Sequence, residues 1–214
     1  MLRGPLRVMA QHLSFLQHLP LTREAVEYAG GRHGAQRRSA DGASYLLHLL
    51  EVASLLERSG YPDHVVAAAV LHDVLEDTDA ERGDLDARFG RHVGELVALV
   101  SDDPAIADEE ERKADVRERV RRSGGEALVV YAADKVSKVR ELRLLMALGV
   151  DEQEIAVRRS RYEKSLAMIE DQAPGSRLAR LLRFELEALS ELPPESARVS
   201  EPRGSGGPSP GPRA

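Results

Sequence analysis

The chain has 214 residues, no Cys and no Trp, 42% hydrophobic and 31% charged residues, and a formal net charge of −6. That length supports one domain with its own core. The absence of Cys excludes disulfides, thiolate metal sites and cysteine nucleophiles, and the acidic balance argues against a broad nucleic-acid surface. No apolar stretch approaches the ~18 residues of a membrane span. Arg3 and Arg7 are followed by no continuous apolar segment of a signal peptide, so the expectation is a soluble cytoplasmic protein without a membrane partner. Few aromatics and many Ala, Leu, Arg and Glu residues favour helices.

Residues 1–21 read as an extension, either a short amphipathic helix ended by Pro20 or a loose cover over an apolar patch. Thr22 is an expected N-cap for a helix over 23–32 with Ala25, Val26 and Ala29 inward. A polar, basic loop over 34–42 follows. Ser44 is the expected cap of a helix over 45–58, whose Leu46, Leu49, Leu50, Ala53 and Leu56 recur at helical spacing. Ser59 and Gly60 end it, and Pro62 or Asp63 starts the next. The 63–77 stretch is apolar nearly all round from Val65 to Leu71, which predicts a central buried helix.

A short helix over 84–89 with Gly90 as its stop precedes an amphipathic one over 91–100. Residues 101–107 form an acidic loop. The highly charged 109–122 stretch reads as a helix solvated on most sides, broken by Ser123, Gly124 and Gly125. A long helix over 126–148 contains Asp134 and is closed by Gly149. Asp151 caps a helix to about residue 171, and a last helix spans 176–189. From 191 onward Pro, Ser, Gly and Arg dominate, the composition of a disordered tail. With no repeat and no alternating run, the expected fold is all-α, roughly eight to ten helices, partitioned as extension 1–21, domain 22–190 and tail 191–214.

The chemistry concentrates in His72-Asp73-Val74-Leu75-Glu76-Asp77-Thr78. On a continuous helix His72, Asp73, Glu76 and Asp77 fall within roughly 140° of one another. Carboxylates so crowded repel one another unless a cation or protons compensate. Two further helices each carry one unexplained polar residue in an apolar setting: His48 among leucines, and Asp134 after Val130, Tyr131, Ala132 and Ala133. Singly, His48 reads as a satisfied core histidine and Asp134 as an acid paired with a nearby Lys or Arg. Together, two imidazoles and two carboxylates describe a cation site without sulfur. Such a site suits Mn2+ or Fe2+, then Zn2+, and suits Mg2+ least.

These pieces carry a resemblance. The matching segments are His33-Gly-Ala-Gln-Arg-Arg38, Tyr45-Leu-Leu-His48, Ala69-Val-Leu-His72-Asp73-Val-Leu-Glu76-Asp77-Thr78, Phe89-Gly90 and Ala133-Asp134-Lys135. In order and spacing, residues 25–168 resemble the HD-domain pyrophosphohydrolases of the RelA/SpoT type, and more closely the small stand-alone alarmone hydrolases. The resemblance implies a helical HD fold around one Mn2+ held by His48, His72, Asp73 and Asp134. It leaves His33 as a helix-end structural residue and gives Glu76 and Asp77 the catalytic acid–base roles. Arg38 and Tyr162 match substrate-contacting positions. The implied reaction is metal-dependent hydrolysis of guanosine 3′,5′-bis(diphosphate) and its pentaphosphate relative to GDP or GTP plus pyrophosphate. Two departures bear on it: Ser39 stands where the family has Lys, and Lys138 where it has Asn. Lys138 shares a helix face with Asp134, so it either grips substrate phosphate or pairs with a site carboxylate. Two other readings use the same residues. One is a related phosphohydrolase acting on another nucleotide, such as the 2′-phosphate of NADPH; the other is a low-activity alarmone-binding regulatory module.

Overall fold

A computed structural model of the chain describes residues 14–191. Among them are nine α-helices of eight residues or more, one single-turn α-helix and a 3-10 turn (Ser14–Gln17), with no strand beyond an isolated Arg37–Ser44 bridge. The helices are α1 (Pro20–His33), α2 (Leu46–Glu57), α3 (Asp63–Leu71), the single turn α4 (Val74–Asp77), α5 (Arg82–Phe89), α6 (Arg91–Val100), α7 (Glu109–Ser123), α8 (Gly125–Ala147), α9 (Glu152–Gln172) and α10 (Arg177–Ser190). No described helix is long and apolar enough to cross a membrane. The expected extension over 1–21 lies mostly outside the described residues, and the tail almost wholly so.

Helix α3 is the hub. Val65 to Leu71 are all fully buried, as the all-round apolar sequence requires. Its three consecutive alanines let α1, α2, α6 and α8 approach closely on all sides. The 23-residue α8 is the second hub, packing on α2, α3, α6, α7, α9 and α10. The site residues come from the first turn of α2, the C-terminal end of α3 and the middle of α8, the best-buried parts of the fold.

Three sequence expectations need correction. The 63–77 stretch is not one helix: α3 ends at Leu71, and Asp73 takes φ −95, ψ −1 before α4 begins. The apolar pattern runs through this break, so periodicity does not reveal it. Thr22 does not cap its own helix, which starts at Pro20. The cap comes from another helix: the Asp63 carboxylate accepts from Leu21 N (2.9 Å), Thr22 N (2.8 Å) and Thr22 Oγ1 (2.6 Å). Ser44 makes no capping bond to α2, whose N-cap is Tyr45; Ser44 instead pairs with Arg37 in a small hairpin that turns at Gly42 (φ 67). The charged α7 is solvated on most sides, as expected, and its one packed face buries Val116 and Val120 and brings Lys113 and Arg117 to a cavity. Asp108, Asp151 and Ser176 do cap α7, α9 and α10 through their side chains.

Candidate metal centre and active site

Four donor atoms from three helices converge. His48 Nε2 lies 3.2 Å from His72 Nε2. Asp134 Oδ1 lies 3.3 Å from His48 Nε2 and 3.4 Å from His72 Nε2, and Asp73 Oδ2 lies 3.4 and 3.1 Å from the same two atoms. All four residues are buried. The break after α3 turns the Asp73 side chain beside that of His72, where both meet His48 and Asp134.

The outer ring nitrogens fix which atoms face inward. His72 Nδ1 is 2.7 Å from the Ala69 carbonyl, which can only accept. Nδ1 therefore carries a proton, and Nε2 is the atom turned towards the other donors. His48 Nδ1 is 2.9 Å from Ser137 Oγ. That hydroxyl donates to Glu51 Oε2 at 2.6 Å, which leaves its lone pairs for the His48 Nδ1 proton. Arg140 holds the other Glu51 oxygen (2.8 Å) and the buried Glu185 (2.7 Å). The two Nε2 atoms thus face each other beside two carboxylates, and Asp134 Oδ1 is buried with no hydrogen-bond partner. Buried acceptors in such contact call for positive charge among them, and the donor set fits a divalent ion. Without a metal a proton supplies that charge: burial opposes protonation of His72, yet Asp73 and Asp134 outweigh it and raise the imidazole to about 10. Burial likewise opposes ionisation of the two acids, and His72 (for Asp73) and Lys135 (for Asp134) hold both well below the usual carboxylate range.

Glu76 and Asp77 follow on α4 and open onto a cavity of about 320 Å3 in front of the four donors. Glu76 Oε1 is anchored by the Asp102 N–H at 2.7 Å. Its surroundings and the nearby Asp73 charge push it up to about 7, and the same two causes raise Asp77. The larger cause in both is partial loss of solvent against the cavity wall rather than like-charge crowding, although both side chains keep an exposed edge. Lys138 Nζ sits 3.1 Å from Tyr45 Oη and 3.7 Å from Asp73 Oδ2, and Tyr45 Oη donates to Asp73 Oδ2. Tyr162 lines the same cavity. Arg38 does not: it lies in an adjoining recess of about 240 Å3, paired with Asp41. Tyr45, Lys138, Arg158 and Tyr162 line both spaces, which makes them one continuous groove. His33 closes α1 with Nδ1 2.7 Å from Gln36 Oε1 and its ring against Tyr45.

Sequence reasoning missed the cationic wall formed by Lys113, Arg117, Arg158 and Arg161. A signal existed, because Lys113, Val116, Arg117 and Val120 form one i, i+3, i+4, i+7 stripe on α7. It also missed the Ser137–Glu51–Arg140 chain behind His48, for which single residues give no signal.

A family model described as HD domain matches residues 25–162, a span that holds all four donors and both acids. The chain belongs to the HD-domain family. Similar proteins include guanosine-3′,5′-bis(diphosphate) 3′-pyrophosphohydrolase MESH1 of Mus musculus, 35% identical over 135 residues, 62% of this chain and 75% of that protein. A guanosine-3′,5′-bis(diphosphate) 3′-pyrophosphohydrolase of Aquifex aeolicus is 32% identical over 128 residues, 59% of this chain and 18% of that longer one. Among solved structures, one described as a metazoan ortholog of SpoT that hydrolyzes ppGpp aligns with a TM-score of 0.67 at 26% identity. That alignment covers 80% of this chain and 94% of the other.

Proposed function

We propose that this chain is a metal-dependent guanosine-3′,5′-bis(diphosphate) 3′-pyrophosphohydrolase, converting ppGpp to GDP and pppGpp to GTP with release of pyrophosphate. The observation that carries this reading is the four-donor centre beside two acids of raised pKa, in a chain similar to MESH1 across 75% of that protein. His48, His72, Asp73 and Asp134 would hold the ion, which we assign as Mn2+ because two imidazoles and two carboxylates match its ligand preference. Such an ion supplies Lewis-acid activation of water and charge to offset the phosphates.

The chain's own residues do the rest. A water oxygen joins the 3′-linked phosphorus, the bond from that phosphorus to O3′ breaks, and pyrophosphate leaves. Glu76 accepts the water proton; a carboxylate titrating near neutrality is matched to that task. Asp77, the second acid of raised pKa, returns a proton to O3′. Arg117 on the facing wall neutralises the departing pyrophosphate, joined by Lys113, Arg158 and Arg161 as they exchange Asp102, Glu154 and Glu109 for phosphate oxygens. Arg38 and Tyr162, further along the groove, take the nucleoside end with its 5′ phosphates. The reading places the protein in the cytoplasm, with 22–190 as the catalytic domain flanked by 1–21 and 191–214.

One contact favours a second reading. Lys138, 3.7 Å from Asp73, is an internal cation competing for a metal ligand, which fits a slow, alarmone-binding module. A single panel separates the readings. Mn2+-loaded protein is incubated with ppGpp, pppGpp and NADPH, alone and as Lys138→Asn. Release of GDP and pyrophosphate by the wild type supports the hydrolase. Turnover of NADPH alone contradicts it, and binding of ppGpp with turnover only in Lys138→Asn selects the module.

A further inference from the structure

Away from the four-donor centre, a second cluster joins three helices. His64, His92 and Glu126 are each the second residue of their helix, α3, α6 and α8. His64 Nε2 is 2.9 Å from Glu126 Oε1, and His92 Nε2 is 2.6 Å from Glu126 Oε2. The two rings are 5.1 Å apart, centroid to centroid. One ligand atom from each residue falls within 4.8 Å of the others. We propose that His64, His92 and Glu126 form a second divalent-metal site, suited to Zn2+, that ties the N-terminal ends of α3, α6 and α8 together.

The geometry needs little change to accept an ion. Zn2+ binds imidazole nitrogen at about 2.0–2.1 Å and carboxylate oxygen at about 2.0–2.2 Å, so tetrahedral ligands stand about 3.3 Å apart. The histidines contact different oxygens of Glu126, so the contact to the ligating oxygen lengthens by about half an ångström while the other separations, within 4.8 Å, close towards that value. His92 is 60% exposed and His64 36%, so both rings can turn. Among the described residues only their Nε2 atoms are engaged, and the Nδ1 atoms can take up the proton that metal displaces from Nε2. Partial burial opposes ionisation of Glu126, but the two histidine hydrogen bonds outweigh it and lower its pKa, so the anionic ligand is present at neutral pH. Three protein ligands with an outward-facing fourth position form the two-histidine, one-glutamate set that zinc accepts.

Selectivity and affinity follow from the surroundings. Zn2+ outranks Mn2+ at imidazole sites, as the order of divalent affinities requires. The positive ends of three helices meet here, which makes this site weaker than the buried one. Its position gives it a consequence. His64 and His72 lie at opposite ends of α3, and Glu126 and Asp134 are eight residues apart on α8, each separation about 12 Å along a helix axis. The cluster therefore fixes the spacing of the two helices that carry His72, Asp73 and Asp134.

Calorimetric titration of metal-free protein with ZnCl2, together with thermal melts, tests this. Wild type should bind two equivalents, and the second should raise Tm by about 5 °C at a hundredfold excess over its Kd. His92→Gln, which keeps a donor towards Glu126, should bind one equivalent with unchanged affinity and lose that rise. Asp73→Ala should weaken the tighter site and spare the other. A single wild-type equivalent that His92→Gln leaves intact, or a second equivalent untouched by His92→Gln, overturns the proposal and leaves a doubly hydrogen-bonded carboxylate; a single equivalent lost only in His92→Gln supports it and tells against the buried centre instead. None of these readouts depends on the reaction proposed for the buried centre.

Discussion

His48 presents its Nε2 lone pair inward because Ser137 accepts its Nδ1 proton, and Ser137 can accept because its own proton goes to Glu51. Removing the hydroxyl leaves His48 free to choose the other tautomer and leaves Nδ1 buried without a partner. Ser137→Ala should lower metal affinity by about 10- to 100-fold, the usual effect of losing a ligand's supporting hydrogen bond, while the helical content by circular dichroism stays unchanged. Unchanged affinity would show that the ring is held by packing alone. Glu76 supplies a pH dependence. Its carboxyl is raised to about 7 and must be ionised to accept a proton. Activity should therefore rise with pH, tenfold per unit below the pKa, and level off at about 7 or just below, where a bound cation offsets the Asp73 charge. Glu76→Gln should abolish that limb along with most of kcat. A limb that survives in Glu76→Gln assigns it to another group.

At the level of helices, the Asp63 carboxylate is a tertiary cap. It holds two backbone N–H groups and a fully buried hydroxyl at the start of α1 while beginning α3. Asp63→Ala strands those donors and should cost about 2–3 kcal/mol, read as a fall in urea midpoint without a change in m. A loss under 0.5 kcal/mol would mean that water replaces the cap. This cap also shows where sequence reading stops. Thr22 has the composition of an N-cap and a helix does start nearby, but the choice between Thr22 and a residue 41 positions away is made by packing of α1 on α3. The α3–α4 break was hidden for a similar reason: Val70, Leu71, Val74 and Leu75 keep helical spacing across Asp73, whose bridge-region backbone is set by the site around it. Helix positions, the all-α class and the meeting of His48, His72, Asp73 and Asp134 were legible, because polar residues isolated in apolar helices demand a shared explanation. Lys113 and Arg117 were not, since a charged face looks the same towards water as towards an anionic cavity.

Across the whole molecule, a chain of net charge −6 gathers Lys113, Arg117, Lys135, Lys138, Arg158 and Arg161 around one cavity, matched by Asp73, Glu76, Asp77, Asp102, Glu109 and Asp134. The lining is balanced by itself, and a divalent ion on the four convergent donors would tip the local field towards an anion despite the overall charge. The account stands or falls on which bond this arrangement breaks. Phosphorus-31 spectroscopy of ppGpp incubated with Mn2+-loaded protein in oxygen-18 water tests it most directly. The prediction is GDP and pyrophosphate in equal amounts, the label entering pyrophosphate alone, and neither product forming with Asp73→Ala. Stepwise release of orthophosphate, label in the 3′-hydroxyl of GDP, or no turnover by the wild-type protein would contradict it.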